Sequence, residues 1–194
     1  MLSQSAYQTR VLVLMSLFTA LTAVCAQVVI PIGAVPVTLS LLPPLLCALL
    51  MRGEHAFLTM CTYILLGLCG VPVFSGFSGG AGKLLGVTGG YILGYLPCVA
   101  VITFSRQRWR ESRWKKIMYM AMGVLTCYFV GTLWFMAIRH ASPGEVLALC
   151  VLPFLPFDAV KILLAAWLSD RLRFPLKRLL GYDPEGRWKE KQQV

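Results

Sequence analysis

The chain has 194 residues, 58% hydrophobic and only 13% charged, with a mean hydropathy of +0.73 and a formal charge of +10. Globular chains carry roughly a quarter charged residues and disordered chains are polar, so composition excludes both. At about 20 residues per membrane-spanning helix, six spans fit in a single integral-membrane domain over residues 1–194, leaving any energy-transducing module to a separate chain.

The uncharged runs follow in chain order. The first, Val11 to Ile30, continues through Val28-Val29-Ile30 past the Ala23-x-Cys25 where a signal peptide would be cut, so it reads as a span. Its repeats Ser16-xxx-Ala20, Thr19-xxx-Ala23 and Thr22-xxx-Ala26 make a smooth ridge. That ridge suits either an internal neighbour or a separate membrane subunit. The second run, Val37 to Met51, is short and holds Pro43-Pro44, which predicts a tilted or kinked span. The third covers Ala56 to Phe74. After it, Gly76, Gly79, Gly80 and Gly82 form a loop that is either a simple turn or a lid over a ligand.

The stretch Gly76-Phe-Ser-Gly-Gly-Ala-Gly-Lys83 superficially resembles a phosphate-binding loop. Phe77 stands where the motif needs glycine, and Leu84 where it needs a magnesium-binding Ser or Thr, so ATP binding is excluded.

The fourth run, Val87 to Phe104, has two faces. Gly86, Gly90 and Gly94 recur every fourth residue and predict close helix packing. Thr88, Tyr91 and Tyr95 share a face roughly opposite, at about 100° per residue. One side is expected to pack and the other to offer hydroxyls to an internal polar surface. The fifth run is Ile117 to Ile138, and the sixth, Val146 to Ser169, is interrupted by Pro153 and Pro156.

The sixth run carries Asp158 and Lys161, the sole acidic and basic side chains within any of these spans. Each ionisable group costs about 2.5–3.5 kcal/mol at the bilayer centre on insertion scales, so an accidental pair is disfavoured. Their i, i+3 spacing puts both within reach of one partner. The competing reading is a structural ion pair, but such a pair brings little stability over apolar packing.

Basic residues fix the orientation. Arg10 and Arg52, the loop with Arg106, Arg108, Arg110, Arg113, Lys115 and Lys116, and the tail with Arg171, Arg173, Lys177, Arg178, Arg187, Lys189 and Lys191 fall on one side. They make up fifteen of the eighteen basic residues; Lys83 and Arg139 lie opposite. Basic loops stay cytoplasmic, so both termini and the basic tail 170–194 are expected inside. The same rule, with Trp109 and Trp114 as interfacial anchors, accounts for the charge without nucleic acid. The seven cysteines are scattered singly through apolar segments and read as small buried hydrophobes. His55 and His140 lie in loops without ligand partners, so no metal is expected.

Several segments occur in one order: Pro31-x-x-x-x-Pro36-Val-Thr38, Gly67-x-x-Gly70-Val-Pro-Val-Phe74, the glycine loop, Gly86-x-Thr88-Gly-Gly-Tyr91, and Pro156-x-Asp158-x-x-Lys161. Together with six spans they resemble the BioY family, the biotin-binding S component of energy-coupling factor transporters. The resemblance implies an all-α six-helix bundle in the cell membrane that captures biotin from outside. It also implies no cofactor, no enzymatic activity, and partnership with a transmembrane T subunit and two cytoplasmic ATPases. By the same resemblance Asp158 and Lys161 hold the ureido ring, an aspartate accepting N–H bonds and a lysine donating to the carbonyl. Tyr91, with Thr88, Gly89, Gly90, Phe74 and Thr38, is then expected to line the site. The ridge at Ser16, Ala20 and Ala23 is similar to the surface that meets the T subunit. The chain departs from the family pattern at Val87 (usually proline), Ser40 (glutamine expected) and Phe157 (commonly glycine). These departures bear on pocket shape and leave a related vitamin such as lipoate as an alternative ligand. A solitary transporter, or an intramembrane enzyme using Asp158 and Lys161 as acid and base, are the competing functions.

Overall fold

The computed structural model describes residues 4–30, 37–108 and 112–180. Pro31 and Pro36, Trp109 and Arg110, and the tail residues Arg187, Lys189 and Lys191 lie outside them. The described residues form helices α1 (Gln4–Gln27), α2 (Leu42–Leu50), α3 (Gly53–Leu68), α4 (Ala81–Leu84), α5 (Gly89–Leu93), α6 (Tyr95–Arg108), α7 (Arg113–Arg139), α8 (Pro143–Cys150) and α9 (Leu155–Leu180). A small antiparallel ribbon, β1 (Val29–Ile30) with β2 (Val37–Thr38), and a 3-10 turn at Leu39–Leu41 link α1 to α2. The segments Ser5–Gln27 and Arg113–Arg139 are long and apolar enough to cross a membrane, and Leu39–Leu50 is a shorter apolar helix.

Helix α2 is the centre of the bundle, enclosed by α1, α3, α6 and α9. Every residue from Pro43 to Leu50 is buried, as befits a helix that is apolar all round. The expected kink at Pro43-Pro44 is absent. Both prolines sit in the first helical turn, where a missing N–H costs no hydrogen bond. The short run is therefore a buried, unkinked helix.

Two other runs are broken, the fourth where one helix was expected and the sixth where Pro153 and Pro156 predicted an interruption. The fourth splits at Gly94 into α5 and α6. The sixth splits at residues 151–154 into α8 and α9, so Pro156 opens α9 in its first turn. A capping box between Ser142 and Glu145, with Pro143 following, starts α8. Helices also outrun the apolar stretches: α7 begins at Arg113 and α9 continues to Leu180. Arg106 and Lys116, read as loop residues, are consequently buried helix residues.

The α5–α6 arm packs on α7 through glycines of both partners. A Cβ at Gly90 would collide with Trp134, one at Gly94 would reach Cys127 Sγ at 2.9 Å, and one at Gly131 would strike the Tyr91 ring. Gly90 and Gly131 each receive an aromatic ring from the other helix and Gly94 the Cys127 thiol, which brings the backbones close. The expected glycine face is thus the packed face. Of the cysteines, Cys47, Cys98, Cys127 and Cys150 are buried as expected, whereas Cys25 and Cys61 are half-buried and Cys69 is exposed.

Candidate functional site

A cavity opens between the ribbon, α3, α5–α6, α7 and α9. Its polar lining is Thr38, Ser40, Tyr63, Ser75, Thr88, Tyr91, Tyr95, Cys127, Tyr128, Asp158 and Lys161. Ala26, Leu41, Ile92 and Phe154 complete it.

Asp158 lies in the first turn of α9, where the helix dipole favours a negative side chain. It is 3% exposed and Lys161 4%. Lys161 Nζ donates to Asp158 Oδ1 at 2.6 Å, and the Tyr128 hydroxyl donates to Oδ2. Burying an ion pair is tolerated because further hydrogen bonds satisfy it. A carboxylate has about four lone-pair sites, so Asp158 retains acceptor capacity toward the cavity.

A second polar group faces the cavity without charge. Thr38 Oγ1 and Ser40 Oγ are 2.5 Å apart, and Ser40 Oγ and Tyr95 Oη are also 2.5 Å apart. The three residues come from β2, the 3-10 turn and the start of α6.

The hydroxyl face expected on the fourth run is present: Thr88, Tyr91 and Tyr95 all line the cavity. Tyr91 contributes its ring. Its buried hydroxyl lies beside Thr132 and Cys150 but meets neither in hydrogen-bond geometry. Thr38, Asp158 and Lys161 join these residues as expected. Gly89, Gly90 and Phe74 do not line the cavity. A Cβ at Gly89 would strike the Leu84 carbonyl, so Gly89 and Gly90 serve close packing. Phe74 stands behind the lining, edge-on to Tyr63 with centroids 5.6 Å apart and its ring over Gly67. Val87 packs among the α8 residues Val146 and Cys150 with Phe135, and Phe157 is half-buried outside the lining.

The glycine loop is anchored. Gln27 Nε2 donates to the Phe74 carbonyl at 3.2 Å, and the Phe77 N–H donates to Gln27 Oε1 at 2.8 Å. Phe74 and Ser78 pair across a tight turn. On α1 the small-residue ridge divides: Thr19, Thr22 and Ala26 are buried, Thr19 donating to the Met15 carbonyl and, at 3.4 Å, to that of Thr59 on α3. Ser16 and Ala20 face outward, and Ala23 is half-buried. Among the described residues no three His, Cys, Asp or Glu side chains converge as a metal site.

Tyr128, Tyr63, Ser75 and Cys127 were missed from sequence. For α7 a signal existed: Gly123 and Gly131 stand about two turns apart and mark its packed face. Cys127 and Tyr128 lie on that face.

Comparison with known proteins agrees with this architecture. The family model described as "BioY family" matches residues 2–178. A protein of Pyrococcus horikoshii named "Probable biotin transporter BioY" is 38% identical over 162 residues, covering 82% of this chain and 94% of the relative. The "Biotin transporter BioY" of Thermotoga maritima is 34% identical over 84% of this chain and 96% of its own length. A crystal structure of the S-component for biotin from an ECF-type ABC transporter superposes with a TM-score of 0.83 at 25% identity, covering 90% of this chain and 95% of that one. The chain therefore belongs to the BioY family.

Proposed function

We propose that this chain is the biotin-binding S component of an energy-coupling factor transporter and mediates biotin uptake across the cytoplasmic membrane. Membership of the BioY family and the likeness to a biotin S component support this reading. It sets aside an enzymatic role for Asp158 and Lys161. The observation that carries the ligand assignment is the buried Asp158–Lys161 pair facing the cavity with Tyr128 behind it.

In this reading six membrane crossings are made by α1, the 3-10 turn with α2, α3, the α5–α6 arm, α7, and α8 with α9. Both termini face the cytoplasm, as the basic residues favour. Biotin enters from outside, past Ser75 and Thr88. Its ureido N–H groups donate to Asp158, and Lys161 turns its ammonium from Asp158 Oδ1 to the ureido carbonyl. Tyr128 keeps its bond to Oδ2 and holds the carboxylate in place. The rings of Tyr63 and Tyr91 bracket the apolar body of the ligand. A T subunit docks on the outward Ser16 and Ala20 strip, and two cytoplasmic ATPases supply the energy.

Calorimetric titration of biotin into the detergent-purified chain tests the reading beside its Lys161→Ala variant. Tight binding by the wild type and a loss of about 100-fold or more in the variant are expected, since truncating one partner of a buried charge pair costs about 2–5 kcal/mol. Equal binding by both proteins would move the site away from α9. A folded wild type indifferent to biotin would overturn the ligand.

A further inference from the structure

The Thr38, Ser40 and Tyr95 hydroxyls form an unbroken chain along one wall of the cavity, with both contacts at 2.5 Å. Three hydroxyls own three protons. Two protons are consumed inside the chain, so one O–H is left over: at Ser40 when both ends donate to it, otherwise at one end. If Tyr95 donates to Ser40 and Ser40 to Thr38, the spare proton is at Thr38. If Thr38 donates to Ser40 and Ser40 to Tyr95, the spare proton is at Tyr95 and the whole chain polarises it.

Tyr95 shares the cavity wall with the charged pair. Tyr95 is 7% exposed and lies within electrostatic reach of Asp158, while Thr38 belongs to the ribbon. Ser40 is 5% exposed. Thr38 and Ser40 are neighbours in sequence, whereas Tyr95 comes from α6, 55 residues on, so the fold joins the phenol to the pair. Resting on the reading above, we propose that Tyr95 is a third polar contact for the ligand's ureido group, giving its O–H to the carbonyl beside Lys161, with Ser40 and Thr38 as positioning residues that act through it.

The chemistry closes on the ligand side. A ureido carbonyl has two lone-pair directions and takes two donors, an ammonium and a phenol. Its two N–H groups face the carboxylate. A cyclic urea thereby meets one acceptor residue and two donor residues. A ligand without an acceptor at that position leaves the Tyr95 O–H opposed or unpaired, which a buried polar site penalises.

Biotin is titrated into the purified full chain and its variants. A biotin analogue whose ureido oxygen is replaced by a protonated imino group is measured by competition. Tyr95→Phe is expected to weaken biotin about tenfold, as loss of a buried hydrogen bond does, and to leave the imino analogue no weaker than in the wild type. Ser40→Ala is expected to cost biotin about threefold alone and nothing further in the Tyr95→Phe background, because it acts through that hydroxyl. Ser40→Thr, which restores a hydroxyl, is expected to recover binding. Equal weakening of both ligands by Tyr95→Phe would make the phenol a mere filler and overturn the proposal. So would unchanged biotin binding, or additive losses in the double variant. If Tyr95→Phe fails to fold, the Ser40→Ala and Ser40→Thr pair decides alone: loss without recovery overturns the proposal. Absence of biotin binding by the folded wild type would overturn the functional reading and this inference together, whereas the other failures remove this inference only.

Discussion

Helix α9 carries two lysine–aspartate contacts of nearly the same length. Lys161 meets Asp158 at 2.6 Å and Lys116 meets Asp170 at 2.5 Å. At 1.5 Å per residue the two aspartates are about 18 Å apart along the helix. Their surroundings differ more than their geometry. The Asp158 and Lys161 side chains are 4% and 5% exposed, whereas that of Asp170 is 37% exposed and also attracts Arg113 at 3.9 Å. The first pair lines a cavity; the second fastens α7 to α9 at the end where the basic residues gather. Arg106 extends the lesson, because it is as buried as Lys161, each being 4% exposed. Its guanidinium donates to the Leu49 and Met51 carbonyls at 2.5 and 2.8 Å, closing the carboxyl end of the buried helix α2. A buried charge is therefore no sign of function by itself. What matters is whether its hydrogen-bonding capacity ends on the fold or opens on a cavity.

The largest expected effect breaks the pair at the cavity. Asp158→Asn keeps the side-chain volume but removes the charge that Lys161 neutralises and that Tyr128 donates to. Biotin binding is expected to fall by about 100-fold or more, read by calorimetry, from loss of charge-assisted bonds worth about 1.5–3 kcal/mol each. If Arg106→Gln produced the same fall in a chain that stayed folded, the distinction between cavity and fold charges would collapse.

Arg106→Gln is instead expected to act on stability. Two carbonyls at the end of α2 lose charged donors inside the bundle, a cost of about 2–4 kcal/mol. Thermal unfolding in detergent should show a clearly lowered midpoint, with biotin affinity per folded molecule unchanged.

A smaller effect separates the two glycine contacts on α7. A Cβ at Gly131 would strike the Tyr91 ring, which lines the cavity, while one at Gly123 would meet Ile102 and the Cys98 carbonyl, behind it. Both alanine variants overpack a tight interface at about 1–3 kcal/mol. Only Gly131→Ala is expected to weaken biotin binding, by several-fold. Equal binding by the two variants would show that Tyr91 does not transmit packing to the site.

These contrasts also mark what was legible in the chain. Asp158 and Lys161 stood out because charge in an apolar run has a large cost that function must offset. The two faces of residues 86–95 were legible because helical periodicity separates glycines from hydroxyls. Gly89, Gly90 and Phe74 travelled with the right motifs yet pack behind the lining, since a motif locates a segment and not the direction of each side chain. Tyr128 was invisible for the opposite reason: a tyrosine in a long apolar helix looks like any interfacial aromatic until its partner on α9 is in place. The buried role of Arg106 was hidden by its neighbours, because a basic cluster explained all its members at once. The prolines of α2 suggested a kink that is absent, as prolines signal a kink only when they lie beyond the first turn.

The smallest effect belongs to the Lys116–Asp170 contact. Asp170→Asn removes the acceptor of a lysine bond as short as the one at the cavity. Yet Asp170 is partly solvated, and its second partner, Arg113, is 90% exposed. Although Lys116 is buried, water and salt reach the contact from the Asp170 side and screen it; exposed pairs contribute about 1 kcal/mol or less, and this half-buried one is expected near the top of that range. The Asn side chain still accepts a hydrogen bond from Lys116. A slight drop in the unfolding midpoint is expected, fading as salt rises toward 1 M, where the screening length is about 3 Å. The corresponding change at Asp158 is expected to resist salt, because no ions reach the buried pair. A salt-insensitive loss at Asp170 would mean that the α7–α9 clasp is as dry as the cavity floor, and solvent access would no longer distinguish the two ends of α9.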